Sequence, residues 1–117
     1  MEVVMAYEHI IFQVEEGIAT ITFNRPKALN ALNTALLEEF SKALDEIAAD
    51  DNIRVLVLTG AGDKSFVAGA DISELATYNS LTAKNFAQKG HGIIAKLQQL
   101  PIAVIAAVNG FALGGGT

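Results

Sequence analysis

Two short runs of small residues carry most of the chemistry open to this sequence. In Ser65-Phe66-Val67-Ala68-Gly69-Ala70-Asp71-Ile72 the small residues Ala68, Gly69 and Ala70 let a ligand approach the backbone closely. Backbone amides at the start of a short helical turn are natural donors to such a ligand. In Ala103-Val104-Ile105-Ala106-Ala107-Val108-Asn109-Gly110-Phe111-Ala112-Leu113-Gly114-Gly115-Gly116 a glycine triplet at the start of a helix would bare its amides to a negative charge. Taken singly, each run has a plain alternative: a packed corner for the first, close helix–strand packing for the second. Taken together, they describe two backbone N–H groups from different loops converging on one carbonyl oxygen. That is an oxyanion hole, in which losing one donor costs about 3–4 kcal/mol of transition-state stabilisation.

Other candidates are weaker. Gly60-Ala61-Gly62-Asp63-Lys64-Ser65 follows an apolar strand, but a phosphate-binding P-loop needs glycine directly before the lysine, where Asp63 stands. The dinucleotide fingerprint needs glycine at the position of Ser65, so a tight surface turn is the better reading. Glu74, three residues after Asp71, reads as structural or solvent-facing rather than as a base. His9 and His91 have no carboxylate or nucleophile partner at suggestive spacing, and no metal cluster or Ser/His/Asp arrangement stands out.

The elements that must position these runs follow from periodicity. Residues 10–14 and 18–23 alternate as two strands about a Glu16-Gly17 turn, a half-buried antiparallel hairpin with Ile10, Phe12 and Val14 on one face of the first strand and Ala19, Ile21 and Phe23 inward on the second. Asn24-Arg25-Pro26 ends the second strand. Asn33 is placed to cap a helix from Thr34 to about Ala49, with Leu36, Phe40, Ala43, Leu44 and Ile47 on one stripe. Residues 55–58 and 102–108 read as strands buried on both faces. Between them, residues 71–78 allow a helical turn and residues 82–99 a helix weakened by two glycines. The order strand, strand, helix, strand, helix, strand predicts an α/β fold with right-handed crossovers.

Composition narrows the class. Of the 117 residues 51% are apolar and 18% charged, far from the signature of disorder. The formal charge of −5 argues against non-specific nucleic-acid binding, and the absence of cysteine rules out disulfides and thiolate metal sites. No signal peptide and no run of about 18 apolar residues is present, so a soluble cytoplasmic protein is expected.

Along nearly its whole length the chain resembles the crotonase superfamily, the enoyl-CoA hydratase/isomerase family, and in wording it looks nearest to short-chain bacterial enoyl-CoA hydratases. Three ordered stretches carry the resemblance: Asn24-Arg25-Pro26-Lys27-Ala28-Leu29-Asn30-Ala31-Leu32, Phe66-Val67-Ala68-Gly69-Ala70-Asp71-Ile72, and Val108-Asn109-Gly110-Phe111-Ala112-Leu113-Gly114-Gly115-Gly116. The resemblance implies a crotonase-like ββα spiral fold. It implies that the amides of Ala70 and Gly115 polarise an acyl-CoA thioester carbonyl, and that Ala68, Ala70, Asp71, Ile72 and Ser73 line the coenzyme A arm. Arg25 and Lys27 become candidates for its phosphates, with Lys64 behind them.

The implied reaction is addition of water to a 2-trans-enoyl-CoA in fatty acid β-oxidation, with coenzyme A as part of the substrate and no separate cofactor or metal. The same fold could instead serve an isomerase, thioesterase or decarboxylase, or a non-catalytic acyl-CoA binder. In the family's hydratases the two catalytic glutamates come after the glycine triplet. Residues 1–117 are therefore expected to be the N-terminal part of a single domain, truncated before the second half of the core and inactive alone. Full-length relatives of this kind imply a homotrimer or dimer of trimers.

Overall fold

The structure, a computed structural model, describes residues 3–5 and 7–116, with only the backbone course given for residues 3–5 and Gly115. Strand β2 (Ile10–Glu15) and strand β3 (Ile18–Phe23) pair antiparallel from Ile10↔Phe23 to Glu15↔Ile18. The two-residue turn between them has positive φ at both Glu16 and Gly17, whose backbone twist matches that of the flanking strands. A strand that the sequence reading did not include, β1 (Val3–Met5), adds antiparallel to β2.

Helix α1 (Thr34–Ala49) starts where its cap requires, with the Asn33 side chain accepting from the Leu36 amide at 2.9 Å. Its buried stripe, Leu36, Leu37, Phe40, Ala43, Leu44 and Ile47, packs with the inward residues of β2 and β3. Phe23 meets Phe40 and Phe66 edge to face at 5.2 and 5.7 Å between ring centroids. On the partly exposed side of α1, Glu39 Oε1 accepts the amides of His9 (2.7 Å) and Ile10 (3.2 Å), which pins the start of β2 to the helix.

Strand β4 (Val55–Gly60) returns parallel to β3, and strand β6 (Ala103–Ala106) adds parallel to β4, giving the order β1-β2-β3-β4-β6. Here the expectation of strands buried on both faces is corrected. In β4 Leu56, Leu58 and Gly60 are buried while Val55, Val57 and Thr59 are half-buried, and all four residues of β6 are exposed. Strand β6 is the edge strand of this sheet, and its apolar side chains stay partly open, Val104 to 38% and Ile105 to 52%. Helix α3 (Ser80–Gln99) opens with a capping box between Asn79 and Thr82 and is tied to α1 by Lys89–Glu38 and Lys96–Asp45, both at 2.9 Å. Ile93 is its buried residue, and the neighbouring Ile94 is half exposed.

The remaining strands are too short for periodicity to reveal. Strand β5 (Ser65–Val67) pairs parallel with strand β7 (Phe111–Ala112) in a second, two-stranded sheet with an irregular register. They bring the first and second small-residue runs side by side.

Candidate functional site

Three buried or half-buried polar side chains build the platform under the site. Asn30 is fully buried (0% exposed): its Oδ1 accepts the Arg25 amide at 2.9 Å, and its Nδ2 donates to the carbonyls of Ala61 (3.2 Å) and Ser65 (2.8 Å). Asn109 Nδ2 faces the carbonyls of Gly60, Gly62 and Ser65 at 3.0–3.2 Å, and its Oδ1 accepts the Gly60 amide at 3.1 Å. The Ser65 hydroxyl donates to Leu29 O at 2.6 Å. The glycine-rich loop after β4 is thereby held by internal partners, as a tight turn is. Sequence reading missed Asn30 and Asn109 as anchors; the one signal was that both lie inside the motif stretches.

On this platform rests the chain segment 68–71. Leu29 O accepts the Ala68 amide at 3.2 Å, Leu32 N–H donates to Gly69 O at 2.7 Å, and the Asp71 amide donates to Leu32 O at 2.7 Å. The last two bonds bracket Ala70 in a parallel bridge with Leu32, so the N–H and C=O of Ala70 itself face the opposite side. The Ala70 amide makes no hydrogen bond among the described residues. Gly69 has φ +93°, a conformation glycine adopts at little cost, and a Cβ there would stand 3.2 Å from Leu113 O. Gly116 lies so close to β5 that a Cβ would meet Val67 O at 2.2 Å. Close packing is thus one reason for the glycine run, and it also sets that run against the segment containing Ala70. Gly115 falls in the 3-10 turn Gly114–Gly116, and apart from its place in that turn it lies outside the described residues.

The carboxylates nearby are occupied. Asp71 caps the one-turn helix α2 (Ile72–Leu75): its Oδ1 accepts from the hydroxyl (2.6 Å) and amide (3.0 Å) of Ser73, and its Oδ2 from Arg25 Nη2 at 2.9 Å. The Ser73 hydroxyl, with help from the Arg25 guanidinium and against partial burial, holds the Asp71 carboxyl below its usual value. Arg25 spends its other terminal nitrogen on Ala31 O at 2.6 Å. Glu74 accepts the Thr34 amide at 3.0 Å and the hydroxyls of Thr34 and Tyr78 at short range. Burial pushes its carboxyl upward, but those hydrogen bonds outweigh burial and leave it below the ordinary range.

Of the other expected contacts, Ile72 is 80% exposed and Ser73 is exposed, while Ala68 and Ala70 are half-buried. Lys27 stands exposed on the 3-10 turn Pro26–Ala28, and Lys27, Asp63 and Lys64 border one cleft. Glu8, His9 and Glu39 have potential metal-ligand atoms within 4.8 Å of one another, but Glu39 there already accepts backbone amides.

Beside Ala70 opens a cavity of about 390 Å³ with a mostly apolar wall that includes Phe23, Leu37, Phe66, Phe86 and Ile93. Ala70 and Gly116 belong to that wall, as does His91, and no carboxylate does. A backbone donor at the edge of an apolar cavity can stabilise charge developing on a bound carbonyl oxygen, and the apolar wall takes the hydrocarbon attached to it.

A protein-family profile described as enoyl-CoA hydratase/isomerase matches residues 13–117. The short-chain-enoyl-CoA hydratase of Clostridium acetobutylicum is 48% identical over 112 residues, and the crotonyl-CoA hydratase of Syntrophomonas wolfei is 46% identical over 112; in each case 96% of this chain is covered. The chain spans about 43% of the length of these relatives. The crystal structure of an enoyl-CoA hydratase from Bacillus anthracis superposes with a TM-score of 0.91 at 40% identity, covering 93% of this chain and 43% of that one. The α/β, crotonase-like architecture expected from the sequence is therefore the fold over the stretch this chain spans.

Proposed function

Because the chain belongs to the enoyl-CoA hydratase/isomerase family, we propose that it forms the thioester-polarising part of an enoyl-CoA hydratase site. The amides of Ala70 and Gly115 donate to the thioester oxygen of a 2-trans-enoyl-CoA. The acyl chain enters the cavity lined by Phe66, Phe86 and Ile93. Ala68, Asp71, Ile72 and Ser73 border the coenzyme A arm, with Lys27 in reach of its phosphates, whereas Arg25 serves mainly to hold Asp71. Water adds at the β-carbon, the π electrons move onto the thioester oxygen, and the resulting enolate takes a proton at the α-carbon. The two amides stabilise the charge on that oxygen.

Addition of water also needs a base and an acid. Asp71 and Glu74 are committed to internal partners and no carboxylate lines the cavity, so these groups are not supplied by the described residues. In the family this work belongs to two glutamates that follow the glycine triplet. The 117 residues alone are therefore a binder that polarises its ligand without turnover. Assembly as a trimer or dimer of trimers, a cytoplasmic location and a role in fatty acid oxidation belong to the same proposal. No helix among the described residues is long and apolar enough to cross a membrane.

The observation that carries the reading is the Ala70 amide, bracketed by Leu32 and without a hydrogen-bond partner among the described residues, on the wall of an apolar cavity. The test is calorimetric titration of the chain with butyryl-CoA, coenzyme A and butyrate, together with a crotonyl-CoA absorbance assay. Saturable binding of butyryl-CoA, tighter than that of coenzyme A, with crotonyl-CoA absorbance stable in time, is the expected result. Equal affinity for coenzyme A and butyryl-CoA would remove the acyl pocket from the proposal.

A further inference from the structure

The reading of Ala70 as a donor raises the question of what fixes the direction of its N–H, since two bridge bonds alone leave the segment after Asp71 to swing. Glu74 stands four residues past the bridge residue Ala70. Its carboxylate accepts the backbone N–H of Thr34, the first residue of α1, as well as the hydroxyls of Thr34 and Tyr78. Thr34 is two residues beyond Leu32, whose N–H and C=O bracket Ala70. Residues 69–74 are thus fastened to residues 32–34 at both ends, by backbone ladder bonds at Leu32 and by the carboxylate at Thr34. Arg25 adds a third tie by joining Ala31 O to Asp71.

The position of Glu74 is electrostatically suited to this work. The amides of the first turn of α1 have no helical acceptor, and Asn33 satisfies that of Leu36. Glu74 satisfies that of Thr34 and places negative charge at the positive end of a sixteen-residue helix. We infer that Glu74 is a positioning residue: by clamping α2 to the start of α1 it aims the Ala70 amide into the apolar cavity. The inference rests on the proposed role of Ala70 as a donor to a thioester oxygen.

The test uses the 117-residue chain saturated with butyryl-CoA isotope-labelled at the thioester carbonyl, read by difference infrared spectroscopy. A hydrogen bond to that oxygen lowers the carbonyl stretching frequency, and the size of the downshift reports alignment per bound ligand, independent of how much protein is folded. In Glu74→Ala the downshift is expected to fall by more than half. Glu74→Gln, which keeps an acceptor for Thr34, is expected to restore most of it. A role confined to stability would lower the melting temperature of Glu74→Ala and leave the downshift unchanged.

Where Glu74→Ala does not fold, Thr34→Val removes one donor to the carboxylate while keeping the backbone amide, and a reduced downshift is again expected. A full downshift in folded Glu74→Ala, or in Thr34→Val when it stands in, overturns the inference and leaves the proposed function standing. No downshift in the unsubstituted chain overturns both.

Discussion

At Asn30 a single side chain satisfies three backbone groups while its own backbone sits at φ +57°, in the left-handed region that asparagine tolerates better than most residues. Asn30→Ala would remove the acceptor of the Arg25 amide and one of the two amide donors that face the buried Ser65 carbonyl, and would put alanine in a strained conformation. It is expected to cost about 2–4 kcal/mol in urea unfolding. Asn30→Asp is expected to be no milder, because it would turn an anionic oxygen toward two carbonyls. Asp71 and Glu74 make a second residue-scale prediction. Both carboxyls titrate below their ordinary values of 3.8 and 4.5 in the folded chain, so protons bind the unfolded chain more readily. The stability they contribute is complete above the ordinary carboxylate range and is lost as pH falls through the lowered native values. The urea midpoint is expected to drop between about pH 6 and pH 3, and to drop less steeply in Asp71→Asn. A slope identical to that of the unsubstituted chain would show that Asp71 gains nothing from Ser73 and Arg25. None of this was legible beforehand: Asn30 works on carbonyls 31 and 35 residues away, and spacing does not register such distances.

At the scale of elements, what could be read was local. The β2–β3 hairpin and α1 announce themselves because alternation, a turn and a cap lie within a few residues of each other. The pairing of β5 with β7 does not, since strands of three and two residues have no period, and their position is set by Asn109 and Ser65 reaching across the fold. The candidate site follows the same division. The run of small residues around Ala70 was visible as an opening for a ligand, whereas the ladder to Leu32 and the Glu74 clamp were not. The cap of α1 allows a prediction at this scale. Asn33→Ala removes the acceptor of the Leu36 amide and is expected to cost about 1 kcal/mol. Because Glu74 holds the neighbouring Thr34 amide, Asn33→Ala combined with Glu74→Ala should cost more than the sum of the two single changes, as two donors at one helix end are then unsatisfied together. Strict additivity in a double-mutant cycle would show that the two caps act independently.

Over the whole molecule, apolar surface is unevenly distributed. The described core lies between the sheet and α1, but the segment from β6 to the glycine run is largely uncovered, with Ile105 at 52% and Val108 and Phe111 each at 57% exposed. The sequence was right about the character of this strand and wrong about its surroundings, because hydrophobicity shows what a segment suits and not what lies over it. β6 is also the last strand of the five-stranded sheet, so one side of its backbone has no strand partner among the described residues. Contiguous apolar surface joined to an unpaired strand edge is a template for association. The chain alone is expected to bind a hydrophobic fluorescent dye and to self-associate as its concentration rises, with light scattering as the measure. Ile105→Glu together with Val108→Glu would place charge on that segment and move the net charge from −5 further from zero. The paired substitution should reduce both dye binding and scattering while leaving the melting temperature nearly unchanged, since exposed side chains contribute little to the core. Scattering that persists undiminished would place the contact elsewhere, the alternative being the exposed apolar side chains of α3, Leu81 and Ile94.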